Sequence, residues 1–247
     1  MAGLRRSRRL PRRQPSGQRD PRWQPQRPAP ALPVDDGLDP PLPALSARNS
    51  ATARAPGGYP PTVSEHRPFP AEIRTERLVL RTPVAADAEE QAAAVMASLP
   101  ELQEWMPWAK DGQTAAQAEE NIASTAAEAE ADREYNWVIR DAATEQFLGR
   151  ISIFAIRRHV PKGEIGYWLA TAATGHGYMR EAVQGVVDAA LAEGFHRIEI
   201  RCDPDNHRSA AVPRALGFTL DARFRNDGRA VADPSQLRDT FVFSLTT

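Results

Sequence analysis

The sequence predicts a mixed α/β domain, a sheet covered by helices, behind an unstructured N-terminal tail. Three observations predict it. Residues 1–68 are rich in Pro and Arg and poor in large apolar residues, so they cannot bury enough surface to offset the entropy of ordering. Beyond them, strand-like and helix-like segments follow in the order β, α, α, several strands, α, β, α, β. One unit within that order, from "EIGYWLA" through a Gly-rich turn and a long helix to "RIEIRC", has the make-up of a parallel crossover.

The charge is as uneven as the composition. Residues 1–70 carry 12 Arg and 5 acidic residues, whereas 71–247 carry 19 basic and 27 acidic, so the net charge of −1 hides a basic tail and an acidic domain. Arg clusters attract phosphate without needing a fold, which makes nucleic-acid contact through the tail one reading. A transit segment is another, but the prolines deny it an amphipathic helix and it has no apolar core for a secretory signal. The preferred reading is a solvated extension with no specific partner, because base-stacking aromatics are almost absent there. A start assigned too far upstream fits equally, since Arg outnumbers Lys 29 to 2, the mark of a G+C-rich genome. The single cysteine, Cys202, excludes an internal disulfide framework and a thiolate zinc site. No apolar run approaches the roughly 18 residues of a membrane span. A soluble cytoplasmic protein with one globular domain over residues 72–247 is expected.

Along that domain, "ERLVLRTPV" alternates and stops at Pro83, a first strand with Leu78 and Leu80 on one face. "ADAEEQAAAVMASLP" has acids at its front and Pro at its end, a helix; "LQEWMPWAKDG" then reads as a loop with two tryptophans. Thr114 with Gln117 three residues on forms a capping box for a surface helix bearing a thin stripe of Ala115, Ala118, Ile122 and Ala129. "YNWVIRD" and "FLGRISIFAI" read as a hairpin through "AATEQ", and "EIGYWLA" as the next strand. The long helix carries Ala182, Val183, Val186, Val187, Ala190 and Leu191 on one stripe, with Gly194 placed to cap its end. "RIEIRC" is a strand, "NHRSAAVPRALGF" a short helix ending at Gly217, and "DTFVFSLTT" a last strand.

The turn before the long helix, "TAATGHGYMRE", asks why two glycines sit where a strand hands over to a helix. Turn geometry alone is one answer. The other is an anion site: unpaired N–H groups of the turn and first helical turn converge, and Gly175 and Gly177 remove side chains that would hold a phosphate off the backbone. The spacing is neither a Walker loop, since no Lys follows, nor a complete G-x-G-x-x-G.

The stretch "EIGYWLATAATGHGYMREAVQGVVDAAL" followed by "RIEIRCDPDNHRSAAVPRALGF" resembles the GNAT superfamily of acetyl-CoA-dependent N-acyltransferases. It is most similar to the branch of ribosomal-protein N-terminal acetyltransferases of RimJ/RimL type. The likeness spans about residues 74 to 245, with "RTERLVLRTPVAADAE" and "LQEWMPWA" in their expected order, and leaves the tail outside. It implies a central mixed, mostly antiparallel sheet with splayed central strands and about four flanking helices. It also implies acetyl-CoA as co-substrate. The superfamily's pyrophosphate loop falls on Thr174, Gly175, His176, Gly177, Tyr178 and Met179; Thr174 stands where Gln or Arg is usual and Met179 replaces a small residue. Leu169 and Ala170, at the end of the preceding strand, are implied to offer backbone pairing to the pantetheine arm.

Acyl transfer from a thioester to an amine needs a neutral amine and a proton for the leaving thiolate. By the resemblance, Asn206 holds the cofactor arm and Ser209 hydrogen-bonds or protonates the departing sulfur; both residues are equally good helix caps. The Tyr acid of many GNAT enzymes falls here on Pro213, which leaves Ser209 as the proton donor to name. For the base, Glu199 and Glu164 are the candidates, each against the plain reading of a solvated strand carboxylate. The branch's downstream Glu maps near Gly228, where only Asp227 stands alongside. Trp105 and Trp108 either wall the acceptor site or pin their loop to the core.

His66, His159, His176, His196 and His207 are scattered without metal-ligand spacing, so no metal is expected. The acidic surplus of the domain favours a cationic acceptor. Three functions stay open: an N-acetyltransferase acting on a protein N-terminus in a ternary complex, a small-molecule acetyltransferase of the same fold, and a non-catalytic acyl-CoA-binding module. A homodimer is common for this architecture, though nothing in the chain demands one.

Overall fold

A computed structural model describes residues 67–231 and 233–247. The tail reading therefore lies outside the described residues, apart from positions 67 and 68. The strands are β1 (Glu72–Arg74), β2 (Leu78–Arg81), β3 (Tyr135–Asp141), β4 (Phe147–Arg157), β5 (Lys162–Leu169), β6 (Arg197–Cys202), β7 (Thr219–Arg229) and β8 (Leu237–Thr246). The helices are α1 (Ala88–Ala97), α2 (Leu99–Trp105), α3 (Ala115–Glu130), α4 (Tyr178–Ala192) and α5 (His207–Ala215). The strands form one sheet in the order β1-β2-β3-β4-β5-β6-β8-β7. Every neighbour pair is antiparallel except β5 with β6, which α4 joins as the expected crossover.

Strand alternation assigns the two faces. Leu80, Ile151, Ile153, Ile165, Ile198 and Ile200 point to one side and are all almost fully buried. There they meet Met179, Ala182, Val183, Val186, Val187 and Ala190, the stripe of α4, in one continuous core. Gly194 follows that helix at φ +79°, the left-handed position a helix end favours. On the other face lie α1 and α3, which meet through Ala88, Ala92, Ala118 and Ile122. The Thr114–Gln117 capping box forms as expected, with Thr114 Oγ1 accepting from Gln117 N at 3.2 Å and Thr114 N–H donating to Gln117 Oε1 at 2.9 Å.

The core begins ahead of the first expected strand. Phe69 is 4% exposed and packs on Tyr135, Trp137 and Phe195, while Trp137 Nε1 donates to Pro70 O at 2.9 Å. Three elements were not foreseen. Pro100, read as a stop, sits in the first turn of α2, where a missing N–H costs nothing; Leu99–Trp105 is therefore helical and a fifth helix appears. The short β1 pairs at the sheet's edge with β2. Residues 219–229, charged and mostly exposed, form β7 because they pair with β8 at the other edge. Among the described residues no helix is long and apolar enough to cross a membrane.

Candidate functional site

β5 and β6 pair through only three register positions, Lys162 with Arg197, Gly163 with Ile198 and Glu164 with Glu199, and then part. β5 runs on to Leu169 and β6 to Cys202, so a gap opens in the middle of the sheet. Backbone groups along this stretch point alternately left and right. Ala170 N–H donates to Leu148 O at 2.8 Å, on the β4 side, so the N–H and C=O of Leu169 and Tyr167 face the gap. Ala170 is engaged within the protein, its N–H by Leu148 O and its carbonyl by Ala173 N at 2.8 Å, so Leu169 is the better placed of the two to pair with a ligand.

The gap leads to the Gly-rich turn. Gly175 and Gly177 have φ +85° and +79°, a conformation that disfavours side chains, and α4 starts directly after them. The N–H groups of the first helical turn have no partner within the helix. They follow directly on the turn amides, and a Cβ built on Gly175 would meet no atom within 4 Å beyond its chain neighbours. Thr174 turns its hydroxyl back onto Thr171 O at 2.8 Å, so its side chain adds no contact here. Met179 is 7% exposed and packs into the core, away from the turn. His176 is exposed and Tyr178 half-buried beside it.

A second set of contacts, unforeseen in the sequence, holds this turn from behind. Glu181 accepts from Thr75 Oγ1 at 2.6 Å and from Arg77 N and Nε at 2.7 Å each. Arg77 Nη1 donates to His176 O at 3.1 Å, and its guanidinium lies 4.9 Å from the Tyr178 ring centre. The residues just ahead of β2 thus fix the carbonyl side of the turn and leave its N–H side free.

Where the strands part, the Tyr167 hydroxyl reaches α5. It donates to Ser209 O at 3.1 Å and lies 3.2 Å from Ser209 Oγ. Pro213 explains the first contact. A residue at 213 normally donates its N–H to the carbonyl at 209; proline has none, and Tyr167 supplies the donor instead. The helix runs from His207 through Pro213 to Ala215. Burial holds the Tyr167 phenol well above its usual pKa, against the Ser209 hydrogen bond, and it stays protonated. Asn206 caps α5, its Oδ1 accepting from Ser209 N at 3.0 Å, and also borders the cavity described next.

A cavity of about 660 Å³ lies on the α1/α3 face and reaches across the gap. Trp105, Trp108, Glu164, Tyr167, Asn206 and Ser209 all line it. Trp108 packs on Trp168 with ring centres 5.7 Å apart, and Arg238 stacks over Trp105 at 5.3 Å. Gly228 lines the cavity too, whereas its neighbour Asp227 does not.

The two candidate bases have diverged. Glu199 is 5% exposed, so it is not a solvated carboxylate. Burial pushes its pKa up, but hydrogen bonds from Arg197 at 2.7 Å and Arg201 at 3.1 Å, with Lys162 nearby, overcome this and hold it at about 2. A carboxylate bound by three cations is a poor proton acceptor, and the geometry speaks against Glu199 as base. Glu164 is half-buried, borders the cavity and has one ion pair, to Arg201 Nε at 3.2 Å. Burial raises its pKa and the Glu199 charge adds to this, against Arg201 and Lys162. Among the described residues no cluster of three or more His, Cys, Asp or Glu is arranged to hold a metal ion.

Comparison with known proteins decides the family. Residues 77–219 match the acetyltransferase (GNAT) domain. The chain belongs to the GNAT acetyltransferase family. It is 41% identical over 91 residues to YjcK of Bacillus subtilis (strain 168), covering 36% of this chain and 50% of that protein. To the ribosomal-protein-serine acetyltransferase of Escherichia coli (strain K12) it is 33% identical over 89 residues, 34% of this chain and 50% of the other. Both matches thus span half of the relative. Among solved structures, the ribosomal L7/L12 alpha-N-protein acetyltransferase RimL in complex with coenzyme A superposes with a TM-score of 0.66 at 21% identity, over 71% of this chain and 97% of that one.

The acetyl-CoA of a GNAT enzyme fits the residues present. The free N–H groups from the Gly-rich turn into α4 suit a diphosphate. The gap-facing backbone of Leu169 suits the amides of pantetheine, and the parted strands open onto Ser209 and Tyr167. The Gly-rich loop was singled out in the sequence, whereas Tyr167, Arg77 and Glu181 were not. Tyr167 alternates in phase with Ile165 and reads as core; only its hydroxyl, opposite a proline that frees a carbonyl, signals more.

Proposed function

We propose that this protein transfers the acetyl group of acetyl-CoA to the primary amine of a peptide N-terminus, by direct attack with both substrates bound. One observation carries the reading: the gap between β5 and β6 opens directly onto a 660 Å³ cavity, with a base candidate and a proton-donor candidate both on its lining. Acetyl-CoA supplies the activated thioester. The N–H groups from Gly175 to Arg180 hold its diphosphate and Leu169 its arm. Glu164, with its raised pKa, accepts the ammonium proton through water. Ser209 Oγ–H gives its proton to the departing sulfur and regains one from solvent, while the Tyr167 hydroxyl, 3.2 Å away and itself protonated throughout, holds Ser209 in place. Cys202 forms no acyl-enzyme in this reading, because burial raises its thiol pKa and leaves little thiolate at neutral pH. Trp105 and Trp108 wall the acceptor channel.

The acceptor class draws support from the names of the E. coli relative and of RimL, both ribosomal-protein acetyltransferases, and the same reading puts the protein in the cytoplasm. The test is a screen of acceptors by free-thiol release, with wild type and Ser209→Ala. Peptides turning over far faster than spermidine or aminoglycosides support the reading. Preference for the small amines refutes the peptide acceptor, and no release with any amine leaves only an acyl-CoA-binding module.

A further inference from the structure

The cavity lining holds a buried charge that no described carboxylate pairs with. Arg150, on β4, is 7% exposed and lines the cavity. Its Nη1 donates to Gln91 Oε1 at 3.0 Å and to Asn121 Oδ1 at 2.7 Å, and its Nη2 to Asn136 Oδ1 at 2.9 Å. All three acceptors are neutral amides, and all three border the same cavity. No carboxylate among the described residues forms an ion pair with Arg150; Glu134, which also lines the cavity, and Asp87 favour its charge without pairing with it. Asp87 is in any case already bound by Arg81 and Arg140.

This is out of character for the molecule. Its other deeply buried charges, Asp87 at 1% exposure and Glu199 at 5%, each have two or more cationic partners. A buried charge satisfied only by neutral dipoles is costly, and a guanidinium offers five N–H donors, of which three are used here. The three amides come from α1, α3 and β3 and set the orientation of the guanidinium without consuming its charge. Burial lowers the Arg150 pKa to about 10, which leaves it cationic at neutral pH.

We infer that Arg150 is the subsite for a carboxylate on the acceptor, so that the preferred acceptors are amines carrying a carboxylate one or two residues from the nitrogen. This rests on the reading of the cavity as the acceptor site. The spacing comes from the strand register. Arg150 on β4 lies opposite Trp168, a neighbour of Tyr167 on β5 at the edge of the gap. One strand spacing is about 5 Å, within the reach of one or two residues of extended chain. The carboxylate belongs either to a free amino acid or to an acidic side chain close to a peptide N-terminus. Either way, the acidic surplus of the domain does not exclude such an acceptor, because its carboxylate would meet this one buried guanidinium.

Two matched acceptor pairs separate the sources: alanine against alaninamide, and Ala-Asp-Gly-amide against Ala-Asn-Gly-amide. Each is titrated by calorimetry into the full chain loaded with coenzyme A. In at least one pair the carboxylate member is expected to bind about tenfold more tightly, the scale of a charge-assisted hydrogen bond. Gln91→Glu, nearly isosteric, places a resident counter-ion on Arg150 and should bring that ratio near one, as should Arg150→Met; Arg150→Lys should restore part of it. Equal binding within both pairs, binding of neither member, or a ratio that survives Gln91→Glu overturns the inference. Turnover of the same compounds with acetyl-CoA tests the underlying reading separately. A carboxylate preference without acetyl transfer refutes the acetyltransferase reading and leaves the anion site, and transfer without preference does the reverse.

Discussion

Replacing Tyr167 with Phe removes one oxygen that has two partners on Ser209, the backbone carbonyl at 3.1 Å and the hydroxyl at 3.2 Å. The carbonyl has lost its α-helical donor because residue 213 is proline, so in Tyr167→Phe it is left without that hydrogen bond in a largely buried setting. A polar group stranded in this way costs about 1–3 kcal/mol of folding stability. Separately, Ser209 loses the hydroxyl that holds it in place, and a misplaced proton donor lowers kcat by about 100-fold. Pro213→Ala separates the two effects, because it restores an N–H aimed at the Ser209 carbonyl. Urea unfolding of wild type, both single variants and the double variant should give a favourable coupling of about 1 kcal/mol between the two substitutions. The double variant should then regain stability relative to Tyr167→Phe but keep its low kcat. Recovery of kcat along with stability would reduce Tyr167 to a structural strut, and the absence of any coupling would refute the proline argument itself.

Glu164→Gln should lower kcat/KM and abolish its acid limb, the fall seen as pH drops through the raised carboxyl pKa; a pH–rate profile of both forms checks this. Glu199 behaves oppositely. Its folded-state pKa of about 2 lies below its ordinary 4.5, so it adds roughly 3 kcal/mol that is present above pH 4.5 and lost as pH falls toward 2. Denaturation midpoints of wild type and Glu199→Gln should accordingly converge with acidification. Arg77→Ala frees the back of the Gly-rich turn and should raise KM for acetyl-CoA several-fold with little change in KM for the amine, in steady-state kinetics varying each substrate in turn.

The sheet and its crossover were legible because the strands alternate cleanly and because α4 carries an unbroken stripe of small β-branched and alanine residues. What escaped has specific causes. Pro100 is compatible with a helix's first turn as well as with its end, and β7 is strand only by virtue of its partner. Glu199 alternates out of phase with Ile198 and Ile200 and so reads as solvated, but that position lies within reach of three cations brought together by two strands. Arg150 left a fainter trace, a lone Arg in phase with Ser152 on a strand that helices cover. Its neutral partners come from three separate elements, and no local pattern announces them.

The account depends most on the backbone amides of the turn. Titration of the isotope-labelled protein with coenzyme A, followed by amide NMR, should shift and protect the N–H groups of Gly175 and Gly177 and those that follow to Arg180. Gly175→Ala should cost roughly 1–2 kcal/mol of folding stability through left-handed backbone strain and, separately, weaken coenzyme A, because the ligand fills the space its Cβ would enter. Amides unmoved at saturating coenzyme A would contradict the account at its base.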